Sequence, residues 1–229
     1  LADATSLLDR SAINLGASPD GLADLPTDQR IAHARTGLQD VQLATLAWNF
    51  GRHLLVASSR NTPAAVDMPA NLQGVWNNKT TAAWGGKYTI NINIEMNYWP
   101  AGPTNLLETQ EPLFDLLKVA RPRGRDMARS MYDCDGVVFH HNLDLWGDPA
   151  PTDHNDHSTM WPMGAAWLVQ HMIEHYRFTG DKEFLRRTAY PYLVDVARFY
   201  QCYTMMWEGS RVTGPSISAE NRFVIPDNA

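Results

Sequence analysis

Ala165-Ala166-Trp167-Leu168-Val169-Gln170-His171-Met172-Ile173-Glu174-His175-Tyr176-Arg177-Phe178-Thr179-Gly180-Asp181 is the stretch that decides the fold. Ala165, Leu168, Val169, Met172 and Tyr176 recur at helical spacing and gather on one face. Gly180 suits the left-handed residue that ends a helix, and Asp181 is placed to cap the next. Pro191 has no N–H to donate, so it is read as the first turn of a further helix. That helix carries Tyr192, Val196, Phe199 and Tyr203 on one side. The stretch therefore spells a helical hairpin.

Working outward, residues 40–58 repeat the pattern, with Leu43, Leu46, Ala47, Phe50 and Leu54 building one apolar face. Further helices are expected over 91–99, 105–120 and 121–132. Two long polar segments separate them, 60–90 and 133–158, broken by Pro and Gly and rich in Trp, Asn, Asp and His. Structureless stretches this long inside a compact domain tend to be functional. Tyr88 to Ile94 alternates with period two and taken alone reads as a strand, but it is short, and an entrance into a helix fits equally well. The tail from Gly209 is expected to be loop. The fold class is all-α, with helical hairpins whose long loops gather at one end, where a ligand would bind.

Composition narrows the function. With 44% hydrophobic and 19% charged residues the chain is an ordinary globular one, and its formal net charge of −6 leaves no basic stripe for a nucleic-acid partner. No apolar run is long enough to cross a bilayer, so no membrane partner is expected. Eight Trp and eight Tyr, several among polar neighbours, offer flat faces suited to sugar rings as well as to a core. Cys134 and Cys202 match no metal or redox spacing and can pair or stay free. Asn78-Lys79-Thr80 is a glycosylation sequon, which points to a secreted or extracellular protein. Both ends read as internal to a longer chain.

Three segments place amides and carboxylates beside aromatics. The first runs from Asn71-Leu72-Gln73-Gly74-Val75-Trp76-Asn77 through Trp84 to Asn91-Ile92-Asn93-Ile94-Glu95-Met96-Asn97-Tyr98-Trp99-Pro100. The second is Phe139-His140-His141-Asn142-Leu143-Asp144-Leu145-Trp146-Gly147-Asp148, and the third Gly214-Pro215-Ser216-Ile217-Ser218-Ala219-Glu220-Asn221. Buried amides need several partners each, which a hydroxyl-rich sugar or a closed bracing network can supply. The cluster His140, His141, His154, His157 with Asp153 and Asp156 lies in a Pro- and Gly-rich loop without the helical spacing of a hydrolytic zinc site, so no metal and no cofactor is expected.

These segments resemble the signature regions of glycoside hydrolase family 95, whose members include 1,2-α-L-fucosidases. The likeness extends through Met160-Trp161-Pro162-Met163-Gly164 to Glu220-Asn221 and covers nearly the whole chain. It implies an (α/α)6 helical-hairpin barrel, present here as an incomplete portion. Residues 1–36 would lead into the barrel and 37–229 would be the N-terminal portion of the catalytic domain. An incomplete ring is expected to leave an apolar flank bare.

The resemblance further implies an exo-acting hydrolase that releases L-fucose with inversion from fucosylated oligosaccharides or glycans. Glu220 takes the place of the acid, although Ala219 stands where the family has proline. Asn91 and Asn93 match the pair that holds the attacking water, with an activating aspartate beyond residue 229. Trp84, His141, Asn142, Asp144 and Trp146 are the expected sugar-binding residues. An α-L-galactosidase on the same scaffold, or a carbohydrate-binding fragment without the base partner, are the alternatives.

Overall fold

The computed structural model describes residues 2–19, 21–62, 67–153, 156–214 and 217–218. Helices dominate. They are α1 (Ala2–Leu8), α2 (Thr27–Arg35), α3 (Val41–Ser58), α4 (Asn93–Tyr98) and α5 (Glu111–Tyr132). After these come α6 (Asp156–Thr159), α7 (Gly164–Thr179), α8 (Lys182–Phe184) and α9 (Tyr190–Tyr203). Two small antiparallel ladders complete the described elements. In one, β1 (Tyr88–Thr89) pairs with β2 (Asn142–Leu143), with Thr89 opposite Asn142. In the other, β3 (Thr204–Trp207) pairs with β4 (Ser210–Thr213).

The hairpin that the sequence spells is present. Gly180 ends α7 at a φ of 65°, and the Asp181 carboxylate accepts from the N–H groups of Glu183 and Phe184 to start α8. A π-helical turn, Leu185–Ala189, joins α8 to α9 and puts Pro191 in the first turn after the register shift, where its missing N–H is least felt.

Elsewhere the structure differs from expectation. The segments 105–120 and 121–132 form not two helices but a 3-10 turn, Leu107–Gln110, and one long helix, α5, with Pro122 inside it. Tertiary anchoring overrides the break. Arg121 and Arg125 both donate to the Asp195 carboxylate of α9 at 2.7 Å, and Arg121 also donates to the Pro191 carbonyl at 2.8 Å. The expected apolar face of α3 is largely in solvent: Leu46 and Phe50 are 41% and 58% exposed. The helix instead buries Arg52, Leu55 and Val56, because α1 packs there and the Arg52 guanidinium donates to the carbonyls of Leu8, the last residue of α1, and Ser11 beyond it. The tail beyond Gly209 is not all loop. Glu208 and Gly209 both have positive φ, 46° and 80°, the signature of a type I′ turn that returns β4 along β3.

The core is organised around an extended stretch, residues 137–143, that runs through the interior. Val137, Val138, Phe139, His140, His141, Asn142 and Leu143 are all buried. Backbone groups along this stretch find partners on several different elements. Val137 N–H donates to Asp195 O, Val138 N–H to Gly124 O and His140 N–H to Pro149 O, while the Phe139 carbonyl accepts from Gly164 and the His141 carbonyl from Ile90. Helix α5 approaches so closely that a Cβ on Gly124 would lie 2.5 Å from the Phe139 ring. Gly136, at a φ of 105°, would place a Cβ 2.3 Å from the Asp195 carbonyl.

Cys134 and Cys202 form a disulfide between the far ends of α5 and α9, with 5.7 Å between the Cα atoms. It closes a loop of 68 residues in sequence separation. Cys202→Ser is expected to lower unfolding free energy by about 2–5 kcal/mol, read from denaturant curves of the variant against the oxidised wild type. An unchanged midpoint would show that the crosslink is dispensable.

Candidate active site

Helix α4 is fixed at its C-terminal end by its own motif. The Tyr98 hydroxyl lies 2.6 Å from Ser59 Oγ and accepts from the Ala70 N–H at 2.8 Å. Asn97 donates to the carbonyls of Ala70 and Asn71 at 3.4 Å each. Ile94 and Tyr98 sit in the main core. These residues brace the loop that follows α3, so part of the amide-rich signature is architectural.

The N-terminal end of α4 is different. Asn91, 4% exposed, and half-buried Asn93 stand where the chain leaves β1 and enters the helix. The ladder sets Asn142 opposite Thr89 and the His141 carbonyl on the Ile90 N–H at 2.8 Å, so Asn91, His141 and Asn142 are brought into one neighbourhood. Among the described residues, the Oδ1 atoms of Asn91 and Asn142 are buried with no hydrogen-bond donor. Two further buried acceptors without a donor are both carboxyl oxygens of Glu95, which is wholly shielded from solvent. Burial pushes the Glu95 carboxyl up to about 8, because the interior disfavours the charged form more than its own backbone N–H favours it. At neutral pH Glu95 is largely a neutral acid.

The sequence places Glu95 inside the first motif and assigns it no role. The signal was there. It directly follows Ile94 and sits three residues before Tyr98, on the side of a short helix where an apolar residue would be expected.

His141 is buried, and Asp153 Oδ2 lies 3.8 Å from its Nε2. The Asn142 amide nitrogen is 3.1 Å from both ring nitrogens of His141, a position over the ring and not along one lone pair, and it donates to Thr152 O at 3.2 Å. His140 points the other way. Its Nδ1 is 2.9 Å from the Pro149 carbonyl and must donate, so its Nε2, 2.7 Å from the Tyr132 hydroxyl, accepts. Burial lowers the His140 pKa and favours this neutral form. Both nitrogens are thus engaged in bracing the loop. His154 lies outside the described residues.

The remaining expected residues are dispersed. Asp144 Oδ1 accepts from the N–H groups of Trp146 and Asp148 at 2.9 Å each, so that oxygen shapes the turn. Trp84 and Trp146 are 78% and 65% exposed, and no described contact joins either to Asn91 or His141. Trp84 holds a left-handed φ of 49°, unfavourable for a residue with a Cβ. Glu220, the expected acid, lies outside the described residues.

Two cavities open along the 71–86 loop. One, of about 370 Å³, is lined by Asn71, Gln73, Trp76 and Asn97 among others. The other, of about 490 Å³, shares Asn71 and Gln73 with it and extends to Thr80 and Gly86. Neither is lined by Asn91, Asn93 or His141. The unsatisfied buried acceptors, and not these hollows, mark the candidate site, because an orphaned polar atom must be accounted for whereas a surface hollow need not be.

The chain belongs to the glycosyl hydrolase family 95 catalytic domain family, whose model matches residues 1–229. It is 37% identical over 230 residues to Alpha-L-fucosidase 2 of Arabidopsis thaliana, an alignment that covers 99% of this chain and 27% of the relative. It is also 32% identical over 210 residues to Probable alpha-fucosidase A of Aspergillus niger, covering 89% of this chain and 26% of that protein. The chain therefore spans about a quarter of the length of these relatives.

The state of Glu95 has a measurable consequence. Its folded-state pKa lies above the ordinary value of 4.5, so the folded chain holds a proton that the unfolded chain has lost, and stability falls as pH rises from about 4.5 toward 8. Glu95→Gln is expected to remove that fall, which amounts to at most about 4 kcal/mol. Denaturant unfolding of both proteins at pH 5 and pH 8 tests this, and equal pH slopes for the two would place the Glu95 carboxyl in contact with solvent or a cation.

Proposed function

We propose that this chain forms part of the site of an inverting exo-α-L-fucosidase built on an (α/α)6 barrel. The observation that carries the reading is the buried amide oxygen of Asn91, which lacks a donor at the head of α4 beside His141 and Asn142, in a chain of a family of sugar hydrolases. A water molecule or a sugar hydroxyl supplies the kind of donor this acceptor needs. The names of the two relatives support L-fucose as the sugar released. The substrate in this reading is a fucosylated oligosaccharide or glycan.

In the proposed mechanism, Glu220 protonates the glycosidic oxygen as its bond to the anomeric carbon breaks. Water held by Asn91 and Asn93 adds from the opposite face, and the configuration inverts. An amide has no useful pKa of its own, so the proton of that water passes to a carboxylate outside this chain that polarises one of the two amides. Inverting sites usually separate acid and base by roughly 6.5–9.5 Å to leave room for the water. His141, Asn142 and the Asp144 turn would face the sugar, with the exposed Trp84 and Trp146 as flat surfaces at the rim.

A secreted protein is part of the proposal. The Cys134–Cys202 disulfide suits an oxidising compartment, and Asn78 of the sequon lies on an exposed stretch.

Following hydrolysis of an α-linked fucoside by proton NMR should show β-L-fucose as the first anomer formed, and initial release of the α-anomer would rule out single displacement. Glu220→Gln in the intact enzyme should lower kcat by about 10²–10⁴-fold on a natural linkage. A near-normal rate would remove Glu220 as the acid.

A further inference from the structure

Three side chains from separate segments meet beside β1 and β2. Lys87 immediately precedes β1, and its ammonium lies 2.9 Å from Asp153 Oδ2. The same oxygen lies 3.8 Å from Nε2 of His141, which immediately precedes β2. The chain from β2 thus folds back across the ladder and delivers one carboxylate oxygen to both strands. Lys87 is tied further, since its carbonyl accepts from the Leu72 N–H at 3.4 Å, which links it to the amide-rich loop.

The Lys87 and Asp153 side chains are each 30% exposed, and pairs of this kind contribute little to stability. Their effect is on position. The backbone of His141 is fixed through its carbonyl on Ile90, but the ring orientation is left to the side chains around it. Two of these, among the described residues, are the Asn142 amide lying over the ring and the Asp153 carboxylate facing Nε2. At 3.8 Å the carboxylate is beyond a direct hydrogen bond, so it acts through its charge or through one water and favours a proton on Nε2. Lys87 holds that carboxylate from the other side.

We propose that Asp153 is a positioning residue that sets the orientation and tautomer of His141 toward the sugar, and that Lys87 anchors Asp153 for this purpose. The proposal rests on the functional reading given above, with His141 as a sugar contact.

The test uses the intact enzyme with Asp153→Asn, Lys87→Met and Lys87→Arg. Asp153→Asn and Lys87→Met are expected to raise KM for a fucoside by roughly tenfold with a smaller change in kcat, and Lys87→Arg is expected to restore the wild-type KM. Nitrogen-15 shifts of the His141 ring should move toward the other tautomer in Asp153→Asn. Unaltered KM and unaltered ring shifts in both disruptive variants would overturn the proposal, whatever their thermal stability. Should Asp153→Asn fail to fold, Lys87→Met decides on the same two readouts. Wild-type enzyme that neither binds nor cleaves the fucoside would sink the functional reading instead, and with the ring shifts still displaced, Asp153 would remain the residue that orients His141.

Discussion

The structure depends on an extended, buried backbone segment threaded between helices. Residues 137–143 have no helix of their own to satisfy their N–H and C=O groups, and buried backbone groups without partners are rare because they are costly. Each must therefore be met by a neighbour at a fixed place: Gly124 on α5, Asp195 on α9, Gly164 at the head of α7, and Ile90 beside β1. This requirement sets how closely α5 can approach, explains the glycines at 124 and 164, and locks β2 against β1. The candidate site is a by-product of the same constraint, because it is this segment that delivers His141 and Asn142 to the start of α4.

Two kinds of polar burial coexist within a few residues. Buried Asp195 accepts from Arg121 and Arg125 and has Arg198 at 3.8 Å, and His140 is matched nitrogen by nitrogen to Tyr132 and Pro149. Asn91, Asn142 and Glu95 are buried with acceptors that nothing described here meets. A matched group reads as scaffold. An unmatched one lowers stability unless a ligand, a water or another part of the protein completes it, and proteins tolerate such groups where chemistry is done.

The helical hairpin from Gly164 to Tyr203 was legible because one apolar face, a glycine stop and an aspartate cap all agree. The face of α3 was misread because that helix is apolar on two sides, and periodicity cannot tell which of them a neighbour will cover. The expected boundary between 120 and 121 is absent, and the Arg121 and Arg125 contacts with Asp195 hold that stretch of α5 continuous through Pro122. The alternation from Tyr88 to Ile94 reads both as a strand and as an entrance into a helix, and the structure uses it as both, with β1 at Tyr88–Thr89 and α4 from Asn93, whereas β2 has no pattern of its own to read. Of the expected site residues, Asn91, His141 and Asn142 converge, Asn93 opens α4, and one Asp144 oxygen is taken up by its own turn. Glu95 has a local signal in its place between Ile94 and Tyr98 on the buried side of α4, but carboxylates are seldom buried without a partner, so its residue type points to solvent.

The disulfide divides the candidate site topologically. His141, Asn142 and Asp153 lie within the covalent ring closed by Cys134 and Cys202, while Lys87, Asn91 and Glu95 lie on the open chain outside it. One half of the site thus lies in a cyclised peptide and the other on the linear chain that enters that ring through α5. A protease cut within the 144–153 loop would leave both fragments fastened together through the disulfide, whereas a cut in the 71–86 loop would detach the segment that holds α1 to α3 and leave Lys87, Asn91 and Glu95 joined to the ring through α5.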